Sequence, residues 1–184
     1  MALFPMFVDL KDKEVLVVGA GNVALRKIEK LIPFSPNITV VAEKVSEDVR
    51  KICTENGIKV IERSFKKEDL IDKEMVIVAV DNIDLQKEIF KYCRDLKIPV
   101  NSVDSPEYCD FIFPAYVKIG DIVIGITTSG KAPGLSAKIR EIIENCLPEN
   151  LEDILEELSN IRQTKEKGKE RQELIKKIIQ EKLG

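Results

Sequence analysis

A β-branched run that ends on two closely spaced glycines constrains this chain more than any other feature. Val15-Leu16-Val17-Val18 leads directly into Gly19-Ala20-Gly21-Asn22-Val23-Ala24. This is a G-x-G-x-x-A fingerprint in its proper setting: strand residues enter it, and helix-compatible residues leave it from about Asn22 to Leu31. Gly19 permits the tight turn. Gly21 lets the backbone approach a pyrophosphate, which would rest on the N–H groups at the helix N-terminus. Ala24 allows the helix to pack closely on the strand. A glycine turn that serves packing alone is the plainer alternative.

The residues that follow repeat the strand-then-helix rhythm. Ile38–Ala42 is a second β-branched run, and Val45–Asn56 has helical periodicity with Gly57 as a stop. Ile58–Ile61 is a short third strand. Met75–Val80 is continuously apolar, as expected of a strand covered on both faces. Ile83–Leu96 reads as a helix and Pro99–Val103 as the next strand. Alternation of this kind predicts a parallel sheet with crossover helices, an α/β Rossmann-type fold. The pattern changes after residue 104. Phe111–Ile119 and Ile122–Thr127 are β-rich around Gly120-Asp121, a hairpin signal. A helix is predicted over Leu135–Cys146. Amphipathic helices follow from Leu151, interrupted at Gly168. The expected organisation is a nucleotide-binding domain over 1–112, a smaller α/β dimerisation and substrate segment over 113–148, and a C-terminal helical segment over 149–184.

Several classes of function are disfavoured by composition. Of 184 residues none is histidine. Ser-His-Asp and Cys-His chemistry, most zinc catalysis and histidine acid–base work are therefore absent. Proton transfer falls to Asp, Glu, Lys, Tyr or Cys. The net charge of −3 offers no global attraction for nucleic acid or an anionic membrane. The longest apolar runs are strand-sized rather than membrane-sized. The opening residues lack a basic n-region, so no signal peptide is expected and the reading is cytoplasmic. Cys53, Cys93, Cys109 and Cys146 show neither C-x-x-C nor zinc spacing, and are read as small buried hydrophobes. No metal site is expected.

Candidate site residues cluster where strands end. Glu43 lies just past the second strand, where an acid accepts hydrogen bonds from ribose hydroxyls and repels a 2′-phosphate, favouring NAD over NADP. Lys44 beside it works against that preference, and a solvated surface acid is the plainer alternative for Glu43. Ala79-Val80-Asp81-Asn82 and Asn101-Ser102-Val103-Asp104-Ser105-Pro106 follow the fourth and fifth strands. Asp104 thereby becomes the best acid–base candidate, with a turn-initiating cap as the alternative. Thr128-Ser129-Gly130-Lys131-Ala132-Pro133 opens a helix. Thr128 and Ser129 could donate to a carboxylate there or simply cap the helix. Lys131, Lys138 and Arg140 supply nearby cations.

Together these motifs resemble the precorrin-2 dehydrogenase / sirohydrochlorin ferrochelatase family, the sirohaem synthases. The likeness rests on Gly19–Ala24, Asn101–Asp104, Asp110-Phe111-Ile112-Phe113-Pro114-Ala115 and Thr128–Pro133. It extends to Phe4–Leu10 and to Ala24-Leu25-Arg26-Lys27. It runs from about residue 3 to 148, and the C-terminal residues match nothing in that pattern. The resemblance implies oxidation of precorrin-2 to sirohydrochlorin with NAD as cofactor, followed in some members by metal insertion. It assigns catalysis to the aspartate of the N-x-V-D motif, here Asp104, and adds Asn22, Val23, Glu43 and Lys44 to Gly19, Gly21 and Ala24 as cofactor contacts. Asn101, Thr128, Ser129 and Lys131 become candidates for binding the carboxylate-rich tetrapyrrole substrate. It also implies a homodimer. A different class of function shares the first half: an NAD-sensing regulatory module, which would not need the three later motifs.

Overall fold

Five parallel strands lie side by side, and the first of them is central. The structure is a computed structural model that describes residues 3–103 and 105–184. The strands are β1 (Glu14–Val18), β2 (Asn37–Ala42), β3 (Lys59–Glu62), β4 (Met75–Val78) and β5 (Val100–Ser102), in spatial order β3-β2-β1-β4-β5. Successive side chains of a strand point to opposite faces. Val15, Leu16 and Val17 are all fully buried, so β1 is covered on both. The strand order reverses at β1 and β4, which makes their carboxyl ends the switch point of the sheet.

The connecting helices are α1 (Asn22–Leu31), α2 (Glu47–Glu55) and α3 (Ile83–Leu96). Each buries one stripe: Ala24, Ile28 and Leu31 on α1, Val49 and Cys53 on α2, and Gln86, Ile89 and Cys93 on α3. Helix α2 starts where Ser46 Oγ accepts from the Val49 N–H, with Glu47 and Asp48 in its first turn. Asn82 caps α3 by accepting from the Leu85 N–H at 3.1 Å. Lys97 ends that helix in the left-handed conformation, two residues before Pro99. One side of the core joins Leu16, Val18, Val41, Val76, Val78 and Val100 to Leu70, Ile89 and Cys93.

Several of the predicted strands are shorter than expected, β5 spanning only Val100–Ser102 and the last strand ending at Ile126. Met75–Val80 is strand only to Val78. Ala79 N–H still donates to the Val18 carbonyl at 2.7 Å, but Gly19 then turns away and the ladder has no partner. Phe111–Ile119 is strand only from Ala115, because Pro114 has no N–H to offer. Before it, Asp110 N–H returns to the Val100 carbonyl at 2.8 Å beside β5.

The contacts divide the chain into two units, Met6–Ile112, which carries the sheet, and another built mostly from Phe113–Gly184. The second unit holds the antiparallel pair β6 (Ala115–Ile119) and β7 (Ile122–Ile126), joined through Gly120 at φ +51°. It continues with α4 (Pro133–Cys146), which packs on both strands, and with α5 (Leu151–Thr164) and α6 (Lys169–Leu183), which pack on each other. Ile154 and Ile178 are their buried anchors. Among the described residues, no helix is long and apolar enough to cross a membrane.

Ion pairs fasten the amino ends of the central strands. Lys13 Nζ meets Glu74 Oε1 at 2.6 Å, and the Glu14 N–H donates to the other oxygen of Glu74 at 3.1 Å. Lys73 Nζ meets Glu14 Oε2 at 2.6 Å. Hydrogen bonds from Lys73 and Lys13 hold Glu14 and Glu74 below the usual carboxylate range, and Arg63 does the same to Asp69. A depressed folded pKa adds stability above the unfolded value, and that stability is lost as pH falls through the folded one. The melting temperature should therefore hold from neutrality to about pH 5 and decline below about pH 4. A Glu14→Gln/Glu74→Gln variant should show a shallower acid decline by circular dichroism, and an unchanged slope would contradict this.

Candidate functional site

Gly19 sits at φ +106°, and its N–H donates to the Val41 carbonyl at 2.9 Å. A Cβ there would fall inside van der Waals contact of the Ala79 carbonyl oxygen. The turn between β1 and α1 therefore needs glycine for two reasons, backbone conformation and the close passage of the chain beyond β4. Gly21 differs. It is exposed, occupies the N-cap of α1 at φ −96°, and a Cβ on it would meet nothing within 4 Å.

Among the described residues, α1 is also the one α-helix of this unit that starts without a side-chain cap and without an acid in its first turn. The N–H groups of Asn22, Val23 and Ala24 belong to that first turn, whose donors have no intrahelical partner. They lie at the positive end of the helix dipole, at the carboxyl end of β1 and next to the switch point. An open glycine and an uncapped helix start fit a pyrophosphate, which would supply both the missing acceptor and the missing negative charge.

At the ends of β2 and β3, Ser64 Oγ donates to Glu43 Oε1 at 2.7 Å. Glu43 and Lys44 are both exposed, as a ribose-facing pair must be. Beyond β4 and β5 the buried amide of Gln86 ties three segments together. Its Nε2 donates to the Val80 carbonyl at 2.6 Å, while its Oε1 accepts from Ser102 Oγ at 3.0 Å and from Ser105 Oγ at 2.6 Å. Asn101 is buried, and its Nδ2 donates to the Phe111 carbonyl at 2.9 Å. Among the described residues its Oδ1 is buried with no partner. Asp104, the aspartate of the N-x-V-D motif, lies outside the described residues.

Cys109 also belongs to this end of the sheet. Its thiol donates to the Ser102 carbonyl at 3.0 Å, and its sulfur accepts from the Ser102 N–H at 3.2 Å. Burial pushes this thiol up, and pushes Cys93 up to about 12, so neither is a ready nucleophile. The expectation of four buried cysteines holds for Cys53 and Cys93. Cys109 is half-buried, and Cys146 is exposed near the end of α4.

The remaining candidates lie in the second unit. Thr128 Oγ1 accepts from the Ala132 N–H at 3.1 Å and shares a hydrogen bond with Ser136 Oγ at 3.1 Å. It thus shapes the loop that leads into α4. Ser129 is exposed in the left-handed region at φ +55°, and Lys131 is exposed. Lys138 and Arg140 point to their own helix, pairing with Glu141 at 3.0 Å and Glu144 at 2.6 Å. The residues that sequence reasoning missed are Gln86, Cys109, Ser64 and the Arg63–Asp69 pair.

A family model described as "Putative NAD(P)-binding" matches residues 6–115. The chain belongs to this NAD(P)-binding family. Two relatives of the chain are siroheme synthases. That of Ruthia magnifica subsp. Calyptogena magnifica is 38% identical over 162 residues, which are 88% of this chain and 34% of the relative. That of Psychrobacter cryohalolentis is 40% identical over 149 residues, 81% of this chain and 28% of the relative. The chain thus spans about a third of the length of the curated relatives it matches. A solved structure, "SirC, precorrin-2 dehydrogenase", superposes with a TM-score of 0.83 at 25% identity, covering 96% of this chain and 89% of that one. These matches bear out the resemblance to the sirohaem synthases and the Rossmann-type fold.

Proposed function

We propose that this protein is a precorrin-2 dehydrogenase acting in sirohaem formation with NAD as its cofactor. The observation that carries the reading is the extent of the likeness to SirC. It takes in nearly the whole of both chains rather than the nucleotide-binding half alone. A regulatory module of the NAD-sensing kind would account for Met6–Ile112 and leave the second unit unexplained.

The residues divide the work as follows. Gly21 and the N–H groups of Asn22, Val23 and Ala24 hold the pyrophosphate, with Gly19 keeping the turn tight. Glu43 accepts from the ribose hydroxyls. When bound, the nicotinamide supplies a hydride acceptor. Loss of two hydrogens from the tetrapyrrole also releases a proton, and Asp104 is the carboxylate that takes it or orients the ring. Gln86 secures the serines on either side of that aspartate in the chain. Thr128, Ser129 and Lys131 contribute donors and charge for the substrate's carboxylates, and Asn101 supports the β5 end. Thiols unpaired by disulfides suit a reducing cytoplasm.

An anaerobic assay of purified protein with precorrin-2 and NAD⁺ tests the reading, followed by addition of ferrous ion to look for metal insertion. Formation of sirohydrochlorin with stoichiometric NADH is expected. Binding of NAD⁺ with precorrin-2 left untouched would sink the enzyme reading and favour the regulatory one.

The protein should also be a homodimer. Leu135 and Ile142, one stripe of α4, are 54% and 52% exposed, and such a surface is costly to leave in water. Light scattering at micromolar concentration should give twice the chain mass, and Leu135→Glu/Ile142→Glu should halve it. A monomeric wild type would refute this.

A further inference from the structure

The cation best placed to reverse the preference for an unphosphorylated ribose is Arg63, and its guanidinium is held elsewhere. Ala42 of β2 pairs in register with Glu62 of β3. Glu43 and Arg63 are therefore the first residues beyond two neighbouring strands, which themselves run about 5 Å apart. The loop after β3 does reach the β2 end, since Ser64 Oγ bonds Glu43. The Arg63 side chain does not take part. Its Nη1 donates to Asp69 Oδ2 at 2.8 Å and to the Ser64 carbonyl at 2.9 Å, and its Nη2 donates to Asp69 Oδ1 at 2.5 Å. Three of the five guanidinium donors are thus occupied.

Asp69 is itself fixed. Its side chain is 8% exposed, and its Oδ2 also accepts from the Lys66 N–H at 2.8 Å. A bidentate pair of this kind has the geometry that an arginine would otherwise offer a phosphate. Nearby Arg50 is likewise taken, by Glu62. Lys44 is a hydrated point charge on a flexible stem beside the repelling Glu43.

We propose that Asp69 sets the cofactor choice by holding Arg63 in this bidentate pair, while Ser64 turns Glu43 so that its second oxygen faces the ribose. The inference rests on the dinucleotide reading of the Gly19–Ala24 turn. Asp69 does not touch the cofactor; it denies a 2′-phosphate its counter-ion.

Calorimetric titration of the full chain with NAD⁺ and NADP⁺ tests it. Asp69→Asn keeps an acceptor for the Lys66 N–H but loses the charge that retains Arg63. It should tighten NADP⁺ binding by roughly tenfold or more and leave NAD⁺ within about threefold. Adding Arg63→Ala to Asp69→Asn should return NADP⁺ to the wild-type value. If Asp69→Asn proves unstable on melting, Glu43→Gln provides the second arm by removing the repulsion. Adding Arg63→Ala to that variant should leave its NADP⁺ affinity unchanged, and a loss would show that Arg63 already reaches the phosphate. Normal NAD⁺ binding with NADP⁺ affinity unmoved by Asp69→Asn would overturn the Asp69 assignment alone. No binding of either dinucleotide to the wild type would instead overturn the dinucleotide reading beneath it.

Discussion

Gly21→Asp is expected to abolish dinucleotide binding while leaving the fold intact, and Gly19→Ala to damage the fold first. The two glycines stand two residues apart and fail differently because their surroundings differ. A side chain at Gly21 enters open space, and φ −96° suits any L-residue. Aspartate is moreover a favoured N-cap, so α1 should gain about 1 kcal/mol from an acceptor for its first-turn N–H groups. That same carboxylate would occupy the donors and repel the pyrophosphate, lowering NAD⁺ affinity by roughly 100-fold or more. Gly21→Asn separates the two causes, since it caps without charge and should lose less. At Gly19 the added methyl would collide with the Ala79 carbonyl at φ +106°. β1 and the chain leaving β4 would have to part at the switch point, at a cost of roughly 2–4 kcal/mol. Melting and calorimetry on both variants read the contrast. An unchanged NAD⁺ affinity in Gly21→Asp would remove the α1 N-terminus as the phosphate site.

The fold was legible where local pattern and tertiary demand agree. β1 and α1 run over the residues that the fingerprint predicts, and α3 matches its apolar period from Ile83 to Leu96. The late start of β6 has a local cause in Pro114, but the early end of β4 has a long-range one. β4 stops at Val78 because Gly19 leaves the neighbouring strand, a fact about β1 rather than about residues 79 and 80. Gln86 could have been found: it is a polar residue at i, i+3, i+7 with Ile89 and Cys93, on a stripe that should be apolar. A buried amide there must meet partners, and it meets Val80, Ser102 and Ser105. No such signal marks Ser64 or Asp69. Their partners Glu43 and Arg63 are reached by pairing of parallel strands and by a short turn at Lys67–Leu70, neither of which leaves a periodic trace. Cys109 reads as an ordinary buried thiol until the chain is seen to return beside β5.

Asp104→Asn should lower turnover by roughly 10²- to 10⁴-fold, the usual range for removing a general base. The expectation comes from the N-x-V-D motif and from a chain with no histidine to share the proton work. The segments adjoining this position are held firmly. Val103 N–H donates to the Val78 carbonyl at 2.9 Å, and the hydroxyls of Ser102 and Ser105 both converge on Gln86. Replacing the carboxylate with an amide of the same shape should therefore leave the melting temperature and NAD⁺ affinity near wild type, so that the loss appears in kcat. A carboxylate whose whole task is to start a turn would behave otherwise, since Asn caps about as well as Asp and the rate would survive. Anaerobic turnover, melting and NAD⁺ titration on this one variant separate the outcomes. Full activity would remove Asp104 from catalysis without touching the cofactor site. Loss of oxidation with metal insertion retained would assign any metal chemistry to other groups. A loss confined to KM would make Asp104 a contact for the substrate rather than its base.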